Sequence, residues 1–418
     1  MPAKTLKNKE YSLPSSSMEP TDSIAFFNSN ADTSYLCFGK GTSISFEQSI
    51  DFNALQAFIT AHKGKFIYGY LSYDVKNSIE QLTSSNTDHL HFPVLYFHVP
   101  ETVVKTEQGN QVIIQGVETP EAMHFIASFF RRLKTKTCDS GTGSFHARIS
   151  KEEYLKAVNK LKEHIQRGDI YEINFCQEYF SEQVELTDPV SVYATINTVT
   201  QAPFSVYLQH DQFHAFCGSP ERFLQKKGAT VRSQPIKGTA RRGATENEDE
   251  YLKTELVNNP KERSENVMIV DLVRNDLSKI AEKGTVTVDE LFGVYTYQTV
   301  HQLVSTISCQ VSEAVSFTDL IKATFPMGSM TGAPKVSAMK LSEQYESFKR
   351  GLYSGSIGYI LPNGDFDFNV VIRSLLYNSQ TNYLSCGVGG AITINSDPEK
   401  EYEECETKVR KLLNAVTG

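Results

Sequence analysis

The alternation in DIYEINF, residues 169–175, constrains the fold more than any other stretch. Tyr171, Ile173 and Phe175 recur at period two, which predicts a half-buried strand with all three on one face. Other segments repeat the signal. GKFIYGYLSYD (Gly64–Asp74) and PVLYFHV (Pro93–Val99) are rich in aromatic and β-branched residues. TVVKTEQGNQVIIQGV predicts a hairpin turning near Gly109-Asn110. Further strands are expected at Phe204–Leu208 and Ala215–Cys217.

Helices interrupt this strand-rich chain. One is expected from Glu121 to about Leu133. A capping box joins Ser150 to Glu153 at the start of another, whose apolar positions are Tyr154, Val158, Leu161 and Ile165 and whose end is Gly168. Glu246–Ile280 reads as helical, restarting at Asn259-Pro260. A long strand, Val294–Val311, carries His301. Thr331-Gly332-Ala333-Pro334 opens a helix running to about Tyr345, and a turn at Pro362-Asn363-Gly364 joins two strands, the second carrying Arg373. Asp397-Pro398 caps a terminal helix.

Composition excludes several function classes. The 418 residues carry a net charge of −8 and show no basic domain, which argues against nucleic-acid binding. Seven scattered cysteines, none in C-x-x-C, fit reduced cytoplasmic thiols rather than disulfides or zinc. No apolar run reaches membrane-spanning length. Residues 1–20 lack the apolar core of a signal peptide and are expected to be a disordered tail. CDSGTGS (Cys138–Ser144) is the best linker, dividing an N-terminal region, 21–144, from a second region, 145–418.

The chemistry-bearing residues lie mostly in the second region. RSQPIKGTARR (Arg232–Arg242) sets Lys237 between Pro235 and Gly238-Thr239, in a constrained loop that a ligand can approach closely. Glu262 and Glu265 lie one helical turn apart, as do Glu401 and Glu404. Each pair is either a solvated helix face or, if the helices converge, part of a site that needs a cation. Oxygen ligands select a hard ion such as Mg²⁺. TGAPK offers a helix N-terminus that could hold a carboxylate. His301 reads equally as a core histidine. Arg373, in the apolar run FNVVIRSLLY, needs either a structural acid or a substrate carboxylate as partner.

Taken together, GDIYEINF, SPERF, PIKGT, KERSENVMIVDLVRNDL, FPMGSMTGAPKVSAMK, YSGSIGYI and DPEKEYEECETKVRKL resemble the chorismate-utilising enzymes. These include component I of anthranilate synthase and of aminodeoxychorismate synthase, and the isochorismate and salicylate synthases. The resemblance is strong over Ser150–Leu413 and looser before it. Anthranilate synthases look like PIAGT where this chain has PIKGT, so the loop resembles the aminodeoxychorismate branch. The isochorismate branch has lysine where this chain has Glu172. Two positions depart from many bacterial relatives, which have glutamine at Glu172 and proline at Arg241.

The resemblance implies an α+β fold of two face-to-face antiparallel sheets with helices outside. It implies Mg²⁺ as cofactor, bound by Glu265 and Glu404 with Glu262 and Glu401 beside them. It also implies that Arg373, Tyr353 and the Gly389 backbone hold the enolpyruvyl carboxylate, and that Gly238, Thr239 and Ser329 line the ring site with His301 close by. Glu221 would be a general acid or base and Lys237 a covalent nucleophile, making 4-amino-4-deoxychorismate for para-aminobenzoate and folate synthesis. A separate class I glutamine amidotransferase, the glutaminase subunit, would supply ammonia. A neutral lysine near pH 7 requires its pKa, about 10.4, to fall by roughly 3 units. Anthranilate synthase component I and a non-catalytic chorismate-binding regulator are the alternatives.

Overall fold

The computed structural model describes residues 23–31, 33–135, 143–298 and 300–417. The expected tail at 1–20 and positions 138–142 of the expected linker lie outside them. The chain builds two sheets whose strands all pair antiparallel. The first runs, in spatial order, Gly332–Ala333, Glu172–Ser181, Tyr383–Ile392, Ser374–Asn378, Phe213–Ser219, Phe204–His210, Ile24–Asn28, Thr33–Phe38, Thr102–Glu107 and Asn110–Gln115. The second runs Ile236–Arg241, Val300–Gln310, Thr230–Gln234, Arg222–Lys227, Phe366–Asn369, Ser356–Ile360, Ile67–Leu71, Leu95–Val99 and Thr42–Phe46. Strands from residues 24–115 therefore extend both sheets, and no sheet stops at the expected division near 144.

Alternation assigns the faces. Ala25 and Phe27 enter the core between the sheets, while Ile24 and Phe26 turn outward. Between the sheets Phe27 meets Tyr68 and Tyr359 at ring distances of 6.3 and 5.0 Å, and Tyr96 stacks on His210 at 3.9 Å. Outside the first sheet Phe26 packs on Phe129 of the helix Pro120–Arg132. The helices Lys151–Arg167, Pro189–Thr200 and Pro398–Thr417 share that outer core. Outside the second sheet, Phe317 of the helix Phe317–Thr324 meets Phe97 and Phe368.

Local signals hold well. Ser150 and Glu153 form the capping box, and Gly168 ends the helix at φ +84°. Asn259 closes the helix Glu246–Asn258 and caps Pro260–Ser278, accepting from the backbone N–H of Lys261 and Glu262. Four expectations fail. Tyr171 is 65% exposed, because the strand begins only at Glu172. The long strand expected at 294–311 is two antiparallel strands, Thr287–Thr296 and Val300–Gln310. The helix expected from Thr331 begins at Lys335, since Gly332–Ala333 pairs with Glu172 and Ile173. Arg373 sits at a bend between strands, at φ +53°.

Candidate active site

A cavity of about 480 Å³ opens between the sheets. Its walls come from Glu172–Ser181 and Tyr383–Ile392 in the first sheet and from Ile236–Arg241 and Val300–Gln310 in the second. The helices Pro260–Ser278 and Pro398–Thr417 close it with their glutamates. Lys237, Gly238, Thr239, Glu221, Ser329, Tyr353, Arg373 and Gly389 all line it, as do Glu262, Glu265, Glu401 and Glu404. Residues from 221 to 404 thus meet in one place.

His301 is the one candidate left outside. Val300 and Gln302 line the cavity, so the intervening residue faces the other way. Its Nε2 lies 2.9 Å from Asp249 and its Nδ1 2.9 Å from Thr296 Oγ1. In this structure His301 is buried on these two partners and does not line the cavity, unlike the other expected site residues. The TGAPK segment is corrected as a source of charge for a ligand. Gly332–Ala333 is used as an edge strand, and Lys335 Nζ is buried against Asp276, donating also to the carbonyls of Thr324 and Pro326.

Lys237 Nζ donates to Glu172 Oε1 at 2.7 Å. Burial alone would depress its pKa, but Glu172, Glu265 and Glu221 together hold it above the ordinary lysine value. The expected neutral lysine is thus not the ligand-free state: Lys237 is a buried ammonium. The significance of Glu172 was invisible in the sequence, where its partner lies 65 residues away. Gly238, at φ +91°, follows directly; a Cβ there would lie 3.0 Å from Glu262 Oε2 and 3.2 Å from Leu303. The positive φ favours glycine, and the side-chain ends around it would have to give way to a Cβ.

Glu221 is buried, and Ser329 Oγ donates to its Oε1 at 2.6 Å. Burial pushes its pKa up to about 7, against the opposing pull of Ser329 and Lys237. It can hold a proton near neutrality and give it up. The Ser329 loop and the Glu172 strand are tied together from behind by Arg350. This buried guanidinium donates to the carbonyls of Met330 and Asn174 and is paired with Glu346.

The guanidinium of Arg373 makes no hydrogen bond or ion pair among the described residues, and burial lowers its pKa. It is a cation facing open space, suited to a ligand carboxylate. Tyr353 stands against Gly387, where a Cβ would approach its ring to 2.3 Å.

The four glutamates share the cavity with Lys237, Lys261, Lys408 and Lys411. Lys261 Nζ lies 3.1 Å from Glu401 and 3.8 Å from Glu265, and Lys408 Nζ lies 2.7 Å from Glu404 and 2.8 Å from the Gly389 carbonyl. Among the described residues no three His, Cys, Asp or Glu side chains form a ready metal cage. The donor chemistry nevertheless fits a hard cation. Glu265 Oε1 is buried without a hydrogen-bond partner among the described residues, and burial pushes that carboxyl up to about 7. Glu262 is raised by burial as well.

A cavity between two sheets, with an unengaged arginine, a proton-holding glutamate and a cluster of acids, is suited to a small anionic ligand. The family model for chorismate binding enzymes matches residues 10–414, and the chain belongs to that family. It is 34% identical to aminodeoxychorismate synthase component 1 of Bacillus subtilis, covering 83% of this chain and 76% of that protein. It is 31% identical to anthranilate synthase component 1 of Aquifex aeolicus, covering 84% and 74%. Among solved structures, anthranilate synthase component I of Streptococcus pneumoniae superposes with a TM-score of 0.78 at 23% identity, covering 97% of this chain and 95% of that one. No described helix is long and apolar enough to cross a membrane.

Proposed function

We propose that this enzyme is an aminodeoxychorismate synthase component I, making 4-amino-4-deoxychorismate from chorismate and ammonia. The observation that carries the reading is Lys237, a buried lysine at the wall of the cavity, 2.7 Å from the Glu172 carboxylate. In the proposed sequence Glu172 accepts a proton from the Lys237 ammonium. The free amine adds at C2 of the ring while the C4 hydroxyl departs as water, with a proton from Glu221. Ammonia then adds at C4, the C2–N bond breaks, and Lys237 is released. With C2 blocked by lysine, nitrogen enters only at C4.

Arg373 receives the enolpyruvyl carboxylate, with Tyr353 beside it. Glu265 and Glu404 would hold Mg²⁺, with Glu262 and Glu401 adjacent. When bound, the ion would supply positive charge for the second carboxylate of the substrate. Ammonia would come from a glutaminase subunit, in keeping with the component naming of the relatives, and the site of action would be cytoplasmic.

Product analysis with chorismate, Mg²⁺ and ammonium tests the reading. The expected product is the 4-amino isomer. Without ammonia, intact-protein mass spectrometry should show an adduct of chorismate less one water on Lys237. Lys237→Ala should lose the adduct, and residual amination should drift toward the 2-amino isomer. Anthranilate as the main wild-type product, with no adduct, would place the enzyme on the anthranilate branch instead.

A further inference from the structure

A second, smaller cavity of about 70 Å³ adjoins the first. The two share Pro220, Thr239, Val300, Gln302, Arg373, Lys408 and Lys411 as common walls. Beyond these, the side cavity is bounded by Thr200, Pro203, Gly218 and Tyr297. A water-sized molecule needs on the order of 10–15 Å³ of such space, so a few fit and glutamine does not.

Its electrostatics are one-sided. Arg373, Lys408 and Lys411 stand on its wall, and no Asp or Glu among the described residues lines it. Lys408 shares its charge with Glu404, 2.7 Å away, whereas Arg373 and Lys411 have no ion pair among the described residues. A cation entering here meets like charge, and a small neutral molecule does not.

At the junction stands Gln302, opposite Thr239 in the strand pairing and only 4% exposed. Its Oε1 is buried and accepts no hydrogen bond among the described residues. A buried amide carbonyl left unpaired is costly, which makes it a ready acceptor for a donor inside the cavity.

We propose that the side cavity is the inlet for neutral ammonia, and that Gln302 Oε1 accepts an N–H of that ammonia as it passes into the main cavity. The bond orients the molecule through a hydrogen and leaves its lone pair free for attack. The cationic wall excludes ammonium ion. This inference rests on the amination reading above, with ammonia as the nitrogen donor.

The test is steady-state kinetics with ammonium chloride at constant ionic strength across pH 7 to 9, as roughly spaced points. For wild type, KM computed on NH₃ should stay constant while KM computed on total ammonium falls with rising pH. Gln302→Leu and Gln302→Met should raise the ammonia KM about tenfold, equivalent to about 1.4 kcal/mol, and leave the chorismate KM within about twofold. Both variants should melt no lower than wild type, because each removes an unpaired buried polar group. An unchanged ammonia KM, a parallel rise in the chorismate KM, or a wild-type rate that follows ammonium ion would overturn the inference alone. Wild-type enzyme that binds chorismate yet never aminates it would overturn the proposed function and the inlet together.

Discussion

Glu221→Gln should make the enzyme more stable at pH 8 while leaving it nearly unchanged at pH 4.5. Burial lifts the folded-state pKa of Glu221 from 4.5 to about 7. Below about pH 4.5 the group is protonated in both the folded and the unfolded chain. As pH rises, the unfolded chain releases this proton first, so stability falls until the folded group also ionises near 7. The shift of roughly 2.5 units corresponds to about 3 kcal/mol at 1.36 kcal/mol per unit. Glutamine keeps an acceptor for the 2.6 Å hydrogen bond from Ser329 and cannot ionise. Urea transitions of wild type and variant at pH 5 and pH 8 measure the difference. The variant should gain about 2.5 kcal/mol on wild type between those two conditions. A gap that stays the same at both pH values would show that Glu221 is ionised throughout and cannot act as the proton donor.

Two other predictions address metal and framework. Chelator should abolish turnover with ammonium and Mg²⁺ should restore it, while Glu265→Gln should weaken Mg²⁺ binding at least about tenfold by calorimetry, or about 1.4 kcal/mol. Arg350→Met should lower stability by about 3–5 kcal/mol, because it leaves Glu346 charged and buried without its partner; denaturant titration reads the loss.

The sequence exposed local structure more readily than facing. Capping residues, the Asn259-Pro260 restart and the Gly109 hairpin were legible because each is set by neighbours in the chain. The convergence of Lys237, Glu221, Arg373 and the four glutamates was legible through resemblance, not spacing. Which face of a strand meets the cavity was not legible. Period two says that His301 and Gln302 point oppositely, but nothing local says which one points inward. The same limit hid the Glu172–Lys237 pair and the burial of Lys335 on Asp276, contacts between residues distant in sequence. Arg373 was expected on a strand because its neighbours are apolar. The left-handed bend that turns it into the cavity leaves no compositional mark beyond the arginine itself.

The way the early strands enter both sheets bears on how the chain reaches this state. Ile24–Asn28 hydrogen-bonds to Phe204–His210, and Ile67–Leu71 to Ser356–Ile360. During synthesis the first of these strands waits for nearly half the chain to appear, and the second waits longer still. Each meanwhile presents an unpaired apolar edge to whatever it meets. Closing such distant pairs makes folding slow, and the waiting strands expose it to aggregation. Expression at lower temperature or with added chaperone should therefore raise the soluble yield without altering the enzyme once folded, with specific activity per folded molecule as the control.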